Sequence, residues 1–135
     1  MTVAPYELDI AIQPADIDDQ GHVNNVVYVR WVQDVATAHW TSAATAEDQA
    51  EVAWVVLRHE IDYKAPARPG DAIVARTWVG VAERYKFERL TEIRRAGDGK
   101  VLVQARTLWC SMSRTTGKLM RPSDELRARF STGPA

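Results

Sequence analysis

The stretch NNVVYVRWVQDVATAHW (Asn24–Trp40) constrains the fold more than any other part of the chain. Its valines favour a strand by propensity. Its polar residues tell a different story: Arg30, Gln33, Asp34 and Thr37 recur at i, i+3, i+4 and i+7, a single stripe on a helix. Nearly everything else in the stretch is apolar or aromatic. A helix with so narrow a polar stripe must be covered by protein around most of its circumference, so the rest of the chain has to supply a wall.

The wall is legible as period-two segments. YELDIAIQ (Tyr6–Gln13) sets Tyr6, Leu8, Ile10 and Ile12 on one face. VVLRHEIDY (Val55–Tyr63) sets Leu57, His59, Ile61 and Tyr63 together. Long strands follow over Ala72–Val81, Tyr85–Ile93 and Val101–Ser113, after the Pro/Gly turn APARPGD (Ala65–Asp71). AGDGK (Ala96–Lys100) joins the last two as a hairpin in which glycine supplies positive φ. TSAATAEDQA (Thr41–Ala50) reads as a helix tail or loop, and Ser123 as the N-cap of a short closing helix. The expected order is strand, buried helix, then four antiparallel strands in a meander. The expected class is α+β: one domain over residues 1–135, a five-stranded antiparallel sheet wrapped around a central helix, the hotdog arrangement. Its long edge strand is expected to be paired by dimerisation.

Composition removes several functions. Seventeen Lys and Arg against eighteen Asp and Glu leave a net charge of −1, without the basic stripe of a nucleic-acid binder. RYKFERLTEIRR (Arg84–Arg95) interleaves acids with its bases and reads as a solvated strand face. Cys110 is the single cysteine, so neither a disulfide framework nor a cysteine metal site is available. No histidine pair has zinc-ligand spacing with a third donor nearby. Pro5, Glu7 and Asp9 interrupt the start, no secretory segment opens the chain and no run reaches membrane-spanning length, so a cytoplasmic protein is expected.

ADIDDQGHVNN (Ala15–Asn25), directly before the helix, carries the chemistry. A turn collects Asp, Asn and Gly for conformational reasons, but a histidine and an Asn pair at a helix entrance exceed that need. DIDDQGHVNNVVYVRW resembles the D-x-x-G-H-x-N-N-x-x-Y motif of the 4-hydroxybenzoyl-CoA thioesterase-like hotdog family. YKAPARPGD and TTGKLMRPSDEL resemble two further segments of it, so the resemblance spans nearly the whole chain. It implies an acyl-CoA thioesterase, yielding carboxylate and CoA without metal or other cofactor. It implies Asp18 as the catalytic carboxylate, nucleophile or general base. Asn25 would present the oxyanion-binding N–H at the helix start, and His22 would orient the carboxylate, the water or the thioester. Gln20, Gly21, Asn24 and Tyr28 would contact substrate. Bland readings stand beside these: Asn24 a cap, Tyr28 core, Asp16 and Asp19 turn formers, and His39 and His59 structural.

Pro66 and Ala67 stand where the plant acyl-carrier-protein thioesterases of the resemblance have a Glu-Cys pair, which favours the bacterial acyl-CoA branch. Asp34 is the only acid on the helix and is the alternative carboxylate. The implied partner is a small acyl-CoA or an acyl-carrier-protein thioester, with neither nucleic acid nor membrane insertion. A homodimer or homotetramer with active sites at the subunit interface is expected. Arg84, Lys86 and Arg89 are candidates for CoA phosphates. A hydratase–dehydratase of the same fold stays open, although its D-x-N-P-x-H signature is missing, and so does a non-catalytic thioester-binding module.

Overall fold

The computed structural model describes residues 4–130. The ends of the expected domain, 1–3 and 131–135, lie outside the described residues. The order is β1 (Tyr6–Ile10), α1 (Asn25–Ala43), α2 (Ala46–Glu51), β2 (Val52–Tyr63), β3 (Ile73–Glu83), β4 (Lys86–Arg95), β5 (Val101–Ser113) and α3 (Asp124–Phe130). The predicted helix is there, capped by Asn24, whose side-chain oxygen accepts from the Val26 N–H at 3.1 Å. Its stripe behaves as the spacing requires. Arg30, Gln33, Asp34 and Thr37 are exposed, while Val27, Tyr28, Trp31, Val32, Val35, Ala36 and His39 are buried.

The stretch after the helix is not a plain tail. Thr45 caps a separate short helix, accepting from the Asp48 N–H while Asp48 accepts from the Thr45 N–H. β1 stops at Ile10 rather than Gln13, because its partner β3 begins at Ile73, opposite Ile10.

The strands are antiparallel, but the expected four-strand meander is wrong. Sheet order is β1-β3-β4-β5-β2, with β2 paired to β5 from Val52↔Ser113 to Tyr63↔Val103. The β2–β3 connection therefore crosses the sheet end instead of turning back as a hairpin. Its middle is tied to the helix entrance: the Val23 N–H donates to the Ala67 carbonyl at 3.0 Å, and the Ala67 N–H donates to Tyr28 Oη at 2.8 Å. That crossing leaves β2, twelve residues long, as an edge strand.

β2 also corrects the face assigned to Leu57. The register slips between Val56 and Arg58, so Leu57 is an extra residue in a bulge and is exposed. Trp54 and Val56 face inward before the bulge and His59 and Ile61 after it, a change of parity that strict alternation misses.

The core is in two parts. Val27, Tyr28, Trp31 and Val35 of α1 pack with Ile73, Ala75, Ile93, Leu102 and Val103 toward the helix start. At the other end Val52, Val79, Phe87, Leu126 and Phe130 form a second cluster with Trp40, Trp54 and Trp109.

Candidate active site

The loop between β1 and α1 is built by its own backbone. The Asp18 N–H donates to the His22 carbonyl at 2.8 Å, and the Gly21 N–H to the Asp18 carbonyl at 3.1 Å. Gly21 closes this turn at φ +79°, a conformation that glycine adopts without strain. Asp16 does more than form a turn: it anchors the loop from below. It is buried, accepts from the Gln13 N–H at 2.8 Å and pairs with Arg30 at 2.9 Å. Burial pushes the Asp16 carboxyl up, but the Gln13 N–H and the Arg30 guanidinium together hold it below its ordinary value.

Asp18 faces the other way. Its Oδ1 accepts from the Gln20 N–H at 2.9 Å and the His22 N–H at 3.2 Å, while Oδ2 bonds to no described residue. The carboxylate is thus oriented by two peptide groups with one oxygen left over for chemistry. It lines a cleft of about 510 Å³ together with Gln20, His22, Asn24, Asn25 and Tyr28. Six of the seven residues nominated from the sequence therefore share one cleft. Gly21, the seventh, lies outside this lining and serves the turn.

The positive end of α1 opens into the same cleft. Asn24 has used its side chain on the Val26 N–H, whereas the Asn25 N–H meets no acceptor among the described residues. Such a first-turn N–H, at the head of a 19-residue helix, is a donor suited to a developing oxyanion. The His22 imidazole lines the cleft but bonds to no described residue; its contact with Asp18 is through the backbone.

Tyr28 is both core and cleft. Burial raises its hydroxyl above the ordinary range, the Ala67 N–H works against the rise, and the nearby Asp18 charge adds to it. Tyr28 therefore keeps its proton at neutral pH and is a donor.

Two site residues, Tyr63 and Lys64, are not among those nominated from the sequence. Both line the cleft, and Tyr63 donates to the Asn25 carbonyl at 3.2 Å across the helix start. Their signal was YKAPARPGD itself, the segment that returns beneath the loop. Asp34 is exposed on the far stripe and is not part of the cleft. Arg89, nominated for phosphates, is a second correction: it points into the core and is only 8% exposed. Arg84 and Lys86 do lie at the surface, around a separate cleft by the β3–β4 turn with Arg121 and Arg127. Among the described residues no group of His, Cys, Asp or Glu is arranged to hold a metal ion, and no helix is long and apolar enough to cross a membrane.

Residues 12–130 match the thioesterase-like superfamily. A curated relative, the chloroplastic acyl-[acyl-carrier-protein] hydrolase FATB3 of Cuphea viscosissima, is 29% identical over 77 residues, 57% of this chain. That match spans 19% of the relative, about a fifth of its length. Among solved structures, a 1,4-dihydroxy-2-naphthoyl-CoA thioesterase from Synechocystis superposes with a TM-score of 0.80 at 18% identity, over 93% of this chain and 95% of that one. A Thermus thermophilus thioesterase complexed with coenzyme A and Zn gives 0.81 at 18% identity, over 93% and 90%. A 12:0-ACP thioesterase from Umbellularia californica gives 0.77 at 19% identity, over 93% of this chain and 49% of that one. At these identities the structural likeness establishes the hotdog fold.

Proposed function

The chain belongs to the thioesterase-like superfamily, and from that premise we propose that it is a thioester hydrolase, cleaving an acyl-CoA to a carboxylate and CoA through Asp18 and the start of α1. The observation that carries this reading is the Asp18 carboxylate, held by two peptide N–H groups in one cleft with the Asn25 N–H, the first-turn donor of α1 that meets no acceptor among the described residues. The thioester carbonyl oxygen accepts from the Asn25 N–H, which polarises the carbon. Asp18 either attacks that carbon, expelling the thiolate and leaving a mixed anhydride that water then hydrolyses to the carboxylate product and free Asp18, or takes a proton from the water that attacks. In the water route the hydroxyl adds to the carbon, the C–S bond breaks, and the thiolate leaves to become the CoA thiol with the proton returned. Tyr28 and His22 border the thioester and orient it. Among the similar proteins one is a CoA thioesterase, one is complexed with coenzyme A and two act on acyl carrier protein thioesters, which supports a thioester of one of these carriers as the substrate class.

The free edge of β2 pairs, in this reading, with a second copy, giving a homodimer or a tetramer built from it, with the active sites at the subunit interface. Val55 and Leu57 are exposed along that edge strand, a surface that an isolated chain would leave open to aggregation. Light scattering on the eluting protein tests it, and a monomer would refute it.

The functional test is release of free thiol from a panel of acyl-CoAs, with enoyl absorbance followed in parallel. Thiol release from at least one member without an enoyl signal is the expected result. An enoyl signal without thiol would identify a hydratase–dehydratase. No turnover across the panel, with a melting temperature raised by CoA, would identify a binding module.

A further inference from the structure

The C-terminal half of α1 borders a second cavity, of about 230 Å³, walled by Trp40, Trp54, Phe87, Trp109 and Phe130 and carrying Arg89. Its nearest helical residue, Ala36, is eleven positions beyond Asn25, about 17 Å along the axis, so within one chain it is separate from the Asp18 cleft.

Arg89 is what sets this cavity apart from ordinary core. Its Nη1 donates to His39 Nδ1 at 2.9 Å and to Thr77 Oγ1 at 3.2 Å, and the guanidinium makes no other bond to a described residue. Both acceptors are neutral. Burial, with the Arg89 charge beside it, holds His39 at about 4. Burial also pulls the guanidinium down to about 10, which still leaves it charged at neutral pH. No carboxylate pairs with it among the described residues, although a buried arginine is rarely left unpaired.

Two further observations point the same way. The indole N–H groups of Trp54 and Trp109, in the cavity wall, have no hydrogen-bond partner among the described residues, and both add positive potential. The other charged residue lining the cavity, Arg114, is also a cation, and no acid borders it. A purely apolar occupant would leave Arg89 without a counter-ion, and water would solvate but not neutralise it. An anion on an apolar body satisfies both the wall and the charge. The volume lies below the roughly 300–1,000 Å³ of drug-sized sites, so one ring or a short chain fits.

We propose that this cavity binds a small aromatic or short-chain carboxylate, its anion paired with Arg89 and its apolar body among the tryptophans. The acid is a free one, because the roughly 17 Å of helix between Asn25 and Ala36 exceeds the reach of a short acyl chain whose thioester sits at the start of α1. Three tryptophans line the cavity, so their fluorescence reports occupancy directly. The test titrates benzoate and 3-phenylpropionate, with benzyl alcohol as the uncharged control, into wild type and into Asp18→Asn, where the binding readout does not depend on turnover. Saturable quenching by the acids in both proteins is expected, with benzyl alcohol weaker by on the order of tenfold. Arg89→Met should weaken the acids by a similar factor, and Arg89→Lys should recover part of it. The comparison of acid with alcohol needs no variant, so it stands even if Arg89→Met fails to fold. Equal affinity for acid and alcohol, unchanged affinity in Arg89→Met, or no saturable binding of either acid would each overturn the proposal. Benzoate at concentrations that saturate the quenching should leave thiol release from the acyl-CoA hydrolysed fastest unchanged; competitive inhibition would place the acid in the Asp18 cleft and overturn the separate site.

Discussion

The two ends of α1 handle polar groups in opposite ways. At its start the side chains of Asp18, His22 and Asn25 sit in an open cleft, and the bonds that hold the loop are made mostly by backbone groups a few residues apart. At its other end Arg89, His39 and Thr77 are buried and bond to one another across fifty and twelve positions of the chain. The first arrangement leaves a carboxylate oxygen and a peptide N–H free for a substrate. The second leaves a cation in an aromatic wall. A free polar group at an exposed loop costs little because water satisfies it, whereas a buried cation retains a demand for an anion. In the functions proposed above, the difference separates a site for cleavage from a site for holding a ligand.

The contrast between the two ends of α1 has measurable consequences. The largest effect is expected from Trp31, 1% exposed in the core near the helix start: Trp31→Ala should cost about 3–5 kcal/mol. Both ends share one helix, so the melt seen by far-ultraviolet dichroism should coincide with that seen by the fluorescence of Trp40, Trp54 and Trp109. Two separate transitions would mean that the ends are independent units.

Next comes pH at the buried end. His39 titrates at 6.5 when unfolded and at about 4 when folded. The unfolded chain therefore takes up a proton that the folded chain refuses, and stability falls as pH drops from 6.5 toward 4, by about 3 kcal/mol at most. His39→Gln keeps an acceptor for Arg89 and should flatten that slope in denaturant titrations at pH 7 and 4.5. Parallel slopes in the two proteins would remove His39 from the account. The smallest effect belongs to the open end. Asn24→Ala deletes the cap on Val26 and should cost about 1 kcal/mol in the same titrations.

The two ends also differ in how far the sequence discloses them. The Asp18 loop was legible because its parts are contiguous: residues 16–28 hold the carboxylate, the turn, the cap and the helix start. Helix α1 was legible because its narrow stripe has a period that only a helix explains. The Arg89–His39 pair was not, since alternation along β4 places Arg89 on a face but says nothing of which helix covers that face. Strand order was lost for a related reason. A Pro/Gly segment reads as a tight turn, yet APARPGD spans the sheet end because Ala67 is held by Val23 and Tyr28. Leu57 fell to a bulge, where one extra residue reverses the alternation that assigned its face.

In the proposed function, thioester cleavage belongs to the carboxylate at the start of α1. Its most direct test measures thiol release by wild type and Asp18→Asn on the acyl-CoA that wild type hydrolyses fastest, with both melting temperatures taken in the same buffer. A fall of at least about a hundredfold in kcat with the melting temperature preserved is expected. A variant that keeps the wild-type rate would contradict it and move the search to another carboxylate.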